Sequence, residues 1–307
     1  MKKIGEKIYG LCENLFYINR SLTGNGVRKT FEYLKKELPN LTIHEVPSGT
    51  KCFDWEIPKE WNIKDAYIKN EAGKKIIDFN ESNIHVVGYS SPIHKTLDLD
   101  ELDKHLYTLP ELPEAIPYIT SYYKERWGFC MSHKQRQGLT KGKYKVHIDS
   151  SLEDGSLTYA ELFIKGESKK EIFISTYICH PSLANDNLSG PALVTYLAKH
   201  IQSINKPRYS YRIIFIPETI GAIAYLDKNM DALKKNVIAG FVVTCVGDNN
   251  HYSYLASRQE NSLADNVALH VLKYQAPHFK KYPYLDRGSD ERQYCAPNVD
   301  LPGEINT

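Results

Sequence analysis

Four polar clusters in this chain hold residue types that bind metals and move protons, and three of them directly follow apolar runs. The first is Cys179-His180-Pro181-Ser182-Leu183-Ala184-Asn185-Asp186-Asn187-Leu188-Ser189-Gly190. It offers an imidazole and a carboxylate on a loop that leads into a helix, and that pair suits zinc or another divalent ion. Helix capping by Asp186 or Ser189 is the plain alternative. The second is Pro217-Glu218-Thr219-Ile220-Gly221. A carboxylate at a buried strand end is a candidate general base, because desolvation and a nearby cation set its basicity. Glu218 could equally be a first-turn glutamate complementing a helix dipole. The third is Thr244-Cys245-Val246-Gly247-Asp248, with His251 close behind. Here Asp248 can complete a metal shell or simply occupy a turn, and Cys245 reads as core. The fourth packs Arg287, Asp290 and Glu291 into one turn. It is either a solvated charged turn or a substrate pocket in which Asp290 or Glu291 holds an ammonium.

These clusters need a frame, and the apolar pattern supplies one. Ile4, Ile8, Leu11 and Leu15 recur at helical spacing, and Val27, Phe31, Leu34 and Leu38 repeat it after a Gly-rich break. A strand is predicted over 41–46. Residues 51–135 are rich in Pro, Trp and Tyr with short alternating runs, and they read as a small mostly-β module that interrupts the fold. A hairpin is predicted from 144–148 and 156–164 around Glu153-Asp154-Gly155. Beyond it strands at 171–178, 211–216 and 239–246 alternate with helices at 190–204, 220–229 and 262–274. Leu263, Val267 and Val271 set the buried face of the last helix. Strands that are nearly all apolar imply burial on both faces, hence an α/β sandwich with a mixed or mostly parallel sheet. Ligands of open α/β sheets sit beyond the carboxyl ends of strands, where the first three clusters fall.

Composition removes other classes. The 307 residues are 42% hydrophobic and 25% charged, the balance of a globular protein rather than a disordered one. Lys+Arg 39 against Asp+Glu 37 leaves a net charge of +2, which gives no support to a nucleic-acid or membrane partner. No apolar run is long enough to span a bilayer, and the N-terminus lacks the apolar core of a signal peptide. Six scattered cysteines without a CxxC pair fit reduced thiols in a cytoplasmic protein.

Asn185-Asp186-Asn187-Leu188-Ser189-Gly190 resembles the DNxSG segment of zinc-dependent aminopeptidases of the M28 class. Pro217-Glu218-Thr219-Ile220-Gly221 resembles their EExG segment, and Ser289-Asp290-Glu291 their SDH segment, in the same order. With Ser21-Leu22-Thr23-Gly24, Phe53-Asp54-Trp55 and 121–129, nearly the whole chain is similar to a bacterial subgroup of aminopeptidase-like proteins, the DUF4910/DUF2172 type. That subgroup is associated with polysaccharide biosynthesis. Its members carry a small β domain inserted in the peptidase fold and a winged-helix-like domain at the C-terminus.

The resemblance implies a three-layer α/β/α zinc-exopeptidase-like mixed sheet: 1–50 and 136–307 form the peptidase-like domain and 51–135 the insert. It makes His180 and Asp186 metal ligands and Glu218 the general base. Asp248 is the expected third ligand, and Arg287, Asp290 and Glu291 the expected substrate contacts. The departures bear on metal number. Thr219 replaces a ligating glutamate, and no His follows Glu291. One zinc or other divalent ion is therefore expected rather than two, in a chain that reads as truncated after Leu301 where another strand and the winged-helix-like domain would follow. The expected function is metal-dependent hydrolysis of a small peptide or aminoacyl substrate, with oligomerisation open. The alternative is a non-catalytic peptidase-fold protein with an accessory role in polysaccharide biosynthesis.

Overall fold

Alternation along the strands decides which helices cover which face of the main sheet. The computed structural model describes residues 3–301 and the backbone of the strand Glu304–Asn306; Met1, Lys2, Pro302, Gly303 and Thr307 lie outside the described residues. The chain divides into two units, one running up to Ile57 and resuming at Ser156, the other Pro58–Gly155.

The larger unit holds an eight-stranded mixed sheet. Its strands are β1 (Thr42–Pro47), β2 (Ser156–Ile164), β3 (Glu171–Tyr177), β4 (Ser210–Ile216), β5 (Val237–Val242), β6 (Ser253–Leu255), β7 (Lys280–Tyr282) and β8 (Glu304–Asn306). Their order is β1-β2-β4-β3-β5-β8-β6-β7. Strands β4, β3, β5 and β8 are parallel neighbours, and β1 and β2 close one edge antiparallel. On one face Ala160, Leu162, Ile174, Ile213 and Phe215 meet the buried stripes of helices Ile4–Phe16 (Leu11, Leu15), Asn25–Glu37 (Val27, Phe31, Leu34) and Gly190–Ser203 (Val194, Ala198). Each such fully buried aliphatic or phenyl side chain contributes about 1.5–3 kcal/mol. On the other face Phe173 lies 6.2 Å from the ring of Tyr225, on the helix Ile220–Asn236, and 5.2 Å from Tyr294, on the short helix Glu291–Tyr294. Helices on both faces of the sheet give the three layers the sequence predicts.

The smaller unit is a four-stranded antiparallel sheet of Lys75–Asp78, Glu60–Lys69, Lys143–Glu153 and Ile93–Asp98, in that order. Its core contains Ile68, Phe129, Met131, Tyr144, Val146 and Ile148. The unit thus runs from 58 to 155 rather than 51 to 135. The predicted hairpin is also corrected. Lys143–Glu153 pairs with Glu60–Lys69 and Ile93–Asp98, not with β2, because its apolar residues complete this separate core.

Three further expectations change. The helix over 262–274 is Leu263–Gln275, but it buries Ala264, Asp265 and Ala268 and leaves Leu263, Val267 and Val271 about half exposed. The alanine stripe allows a closer approach to Ala239 and Tyr254 than the branched stripe would. Strand β5 stops at Val242 instead of Val246. The Thr176 hydroxyl donates to Val243 O at 2.8 Å, and the chain turns at Cys245 with a left-handed φ of 52°. Finally, a strand does follow Leu301, since Glu304–Asn306 pairs in parallel with β5. No helix among the described residues is long and apolar enough to cross a membrane.

Candidate active site

Because β4, β3 and β5 are adjacent and parallel, their carboxyl ends stand side by side, about 4.8 Å from strand to strand. The residues that follow each strand therefore meet, although the sequence separates them widely. After β3 come Cys179 and His180, after β4 Glu218, and after β5 Thr244 and Cys245. All three loops carry a non-glycine residue at positive φ: Ser182 (36°), Thr219 (62°) and Cys245 (52°). Such residues cost about 1–3 kcal/mol each and persist where surrounding contacts hold them.

His180 is the centre of the cluster. It is 6% exposed, its Nδ1 lies 3.3 Å from Asp186 Oδ1, and its Nε2 lies 3.3 Å from Glu218 Oε2. Both spacings exceed the 2.7–2.9 Å of a charge-assisted N–H···O bond. The Nδ1–Asp186 spacing matches the edge of a tetrahedral zinc site, where donors about 2.0–2.1 Å from the ion stand about 3.3 Å apart, while the Glu218 spacing lies on the other ring nitrogen. Burial works to lower the His180 pKa, but its contacts with Cys179, Asp186 and Glu218 override burial and raise it. Burial raises the Asp186 pKa, yet the nearby His180 and the Tyr177 hydroxyl bring it below the usual carboxylate range. Tyr177 OH donates to Asp186 Oδ1 at 2.6 Å.

A cavity of about 1280 Å³ opens over this cluster. His180, Asp186, Glu218, Cys245 and Asp248 line it near the strand ends, and Leu255, Leu272, Phe279 and Tyr282 form a more apolar part. Asp286, His251 and His278 add polar groups, and no Lys or Arg is among the lining residues described. The Ser289 hydroxyl, 6% exposed, lines the same cavity and finds no hydrogen-bond partner among the described residues.

Not every predicted site residue takes the expected place. Asp290 and Glu291 are fully buried and do not line the cavity. Asp290 Oδ1 accepts the Thr219 N–H at 2.7 Å, which ties down the left-handed turn beside Glu218. Burial, then the charge of Glu218, pushes the Asp290 pKa well above the carboxylate range. Glu291 Oε1 accepts the N–H groups of Gly288 and Ser289 at 2.8 and 2.9 Å. Neither carboxylate faces a substrate, so their expected ammonium contact is corrected: they brace the turn that delivers Ser289. Arg287 also stands outside the lining and stacks over the Tyr284 ring, 4.8 Å from its centre. Asp248 does line the cavity, with its Oδ1 accepting the Asn250 N–H at 2.7 Å. Cys245, read as core, is exposed to the cavity instead.

The sequence reading missed two participants. Tyr177, the last residue of β3, orients Asp186. Cys179 places its sulfur with a His180 nitrogen and a Glu218 oxygen, all within 4.8 Å of one another. The available signal for Cys179 was its position beside His180. All six cysteines are free.

A Clostridium acetobutylicum protein named for polysaccharide biosynthesis and for an aminopeptidase-like domain is 51% identical over 298 residues, covering 97% of this chain and 68% of that protein. The crystal structure of a Clostridium acetobutylicum protein described as a peptidase matches with a TM-score of 0.95 at 50% identity, over 98% of this chain and 71% of the other. BSAP, a zinc aminopeptidase from Bacillus subtilis, shares the fold at a TM-score of 0.64 and 9% identity, over 99% of this chain and 85% of its own. The fold is thus that of the aminopeptidases, and the chain belongs to the DUF4910 family, a domain of unknown function whose model matches residues 9–305.

Proposed function

We propose that this chain is a metal-dependent hydrolase of the aminopeptidase type, acting on a small peptide or aminoacyl amide. The observation that carries the reading is His180 Nδ1 beside Asp186 at zinc-like spacing, with Glu218 on the other ring nitrogen, all three lining a large cavity. Nitrogen and carboxylate donors at the strand ends fit a divalent ion such as zinc, which His180 and Asp186 would hold. When bound, such an ion supplies Lewis acidity and lowers the pKa of a water molecule. Glu218 then works as the general base. Its carboxylate takes the proton of the attacking water and returns it to the leaving nitrogen. A cavity wall that holds Asp186, Glu218, Asp248 and Asp286 and no Lys or Arg favours a substrate with a free ammonium group. The apolar part of the cavity accommodates a side chain of that substrate.

The reading is tested with purified protein, added zinc, and a panel of aminoacyl amides and dipeptides, alongside metal analysis. Activity should fall by about 10²–10⁴ in Glu218→Gln, the usual worth of a general base. Absence of stoichiometric metal, together with turnover unaffected by that substitution, would sink it. A second reading has its own support: Thr219 stands where the resembling peptidases have a ligating glutamate. On it, the chain keeps the fold as an accessory protein in polysaccharide biosynthesis, and it would bind a sugar nucleotide or protein partner without metal or turnover.

A further inference from the structure

We propose that Cys245, not Asp248, is the third protein ligand of the metal at this site, beside His180 and Asp186. The proposal rests on the metal-centre reading above and adds the identity of the missing donor. A catalytic zinc takes three protein ligands and leaves the fourth position to water or substrate, so two matched ligands leave one to be found.

Position is the first argument. His180 is the third residue past the end of β3, and Glu218 the second past the end of β4. With β5 ending at Val242, Cys245 is the third residue past it, and Asp248 the sixth. Cys245 is thus as far along the chain past its strand as His180 is past its own, and Asp248 is twice as far.

Docking of the two loops is the second. Val246 N–H donates to Ser189 Oγ at 3.0 Å and Gly247 N–H to Asn185 Oδ1 at 2.7 Å. These bonds tie the residues just after Cys245 to those flanking Asp186. The Cys245 thiol shares the cavity wall with Asp186, Tyr177 and His180. Asp248, by contrast, uses its carboxylate within its own turn, on Asn250 N–H.

Donor chemistry is the third. Sulfur, imidazole nitrogen and carboxylate oxygen are each ordinary zinc ligands, and the ion displaces the thiol proton to solvent on binding. The other nearby sulfur, on Cys179, is spoken for. It is 1% exposed, accepts the Glu218 N–H at 3.4 Å, and does not line the cavity.

Cobalt(II) titration of the full chain tests this without reference to activity. The wild-type protein should develop a thiolate-to-cobalt charge-transfer band in the near ultraviolet. Cys245→Ser should lose the band and bind cobalt at least about tenfold more weakly, since even outer-shell partners are worth about 10–100-fold. Cys245→Asp should bind cobalt without the band, and Cys179→Ser and Asp248→Asn should keep it. A band that survives Cys245→Ser, or vanishes only in Cys179→Ser, overturns the ligand assignment and leaves the metal reading standing. Cobalt binding with no band in the wild type does the same. No cobalt binding by the wild type overturns both.

Discussion

Replacing Asp265 by Asn separates a charge effect from a packing effect, because the two side chains share one shape. Asp265 is fully buried at the start of the helix Leu263–Gln275. Its Oδ1 accepts from Ser257 N–H at 2.9 Å and from Tyr254 OH; its Oδ2 accepts from Ser262 N–H at 2.8 Å and from the Ser257 and Ser262 hydroxyls. The hydroxyls can rotate to meet an amide. The two backbone donors cannot, and they sit on opposite oxygens, so either orientation of the introduced amide sets an NH₂ against a backbone N–H. Losing one bond to a charged acceptor and stranding its donor costs about 2–4 kcal/mol. The loss has a pH signature. Burial raises the Asp265 pKa, but the Ser257, Ser262 and Tyr254 donors outweigh burial and lower it. An acid whose pKa falls on folding stabilises the fold fully above its unfolded value, about 3.9, and loses that contribution as pH falls through the folded value. The difference between wild type and Asp265→Asn should therefore be full at pH 7, shrink as pH falls below about 3.9, and close once pH is below the depressed folded value. Native-state amide exchange across Leu263–Gln275 reads this locally, whatever the other unit does. A difference under about 0.5 kcal/mol at pH 7, outside the cost of a lost charged bond, or one that persists undiminished in acid, would refute the reasoning.

Two further substitutions probe the sheet. Arg212 grips Glu171 through Nε at 2.6 Å and Nη2 at 3.2 Å, and also meets Glu161, all with little exposure. Arg212→Met strands two carboxylates and should cost about 3–5 kcal/mol in urea unfolding, while the double variant with Glu171→Leu should recover much of it. Gly190 has ordinary helical φ, so propensity alone says that Gly190→Ala stabilises by about 1 kcal/mol. An added Cβ would instead stand 2.4 Å from Val243 O and 2.6 Å from Thr176 Oγ1, forcing the ends of β3 and β5 apart. The melting temperature and cobalt affinity should both drop, and a more stable variant would contradict the contact.

The helices and central strands were legible because their stripes are simple. Leu11 and Leu15, then Val27, Phe31 and Leu34, keep one face each, and β3 and β4 fall within a residue of their predicted ends. Two failures have physical causes. The helix Leu263–Gln275 carries two apolar stripes, and close packing favoured the alanine one over the branched one. Strand Lys143–Glu153 alternates like half of a hairpin, but nothing local says which core its Tyr144, Val146 and Ile148 will join. That His180, Asp186 and Glu218 meet was readable from their strand-end positions. The exposure of Cys245 to the cavity was hidden by the assumed length of β5: run to Val246, the strand makes Cys245 core and leaves Asp248 as the first polar residue beyond it. The end at Val242 depends on the Thr176 hydroxyl from a neighbouring strand, and no local pattern reveals that bond.

On the proposed metal reading, charge favours one ion over two. Asp186 and Glu218 flank a single imidazole, Asp290 and Glu291 are fully buried, and none of the described cavity-lining residues is Lys or Arg. Buried carboxylates such as Asp290 and Glu291 are costly unless neutralised. Burial and the charge of Glu218 push the Asp290 pKa well up, and Glu291 takes two backbone N–H groups on one oxygen. That leaves Asp186 and Glu218 on either side of His180. On the proposed ligand set, Asp186 and the Cys245 thiolate offset one divalent ion, and Glu218 keeps its charge for proton transfer. A second ion would need a further anionic donor, and at that position the chain offers Thr219. Its hydroxyl is neutral, and its N–H is already committed to Asp290. On that reading Thr219 removes the charge that a second ion requires and leaves the proposed base, Glu218, in place.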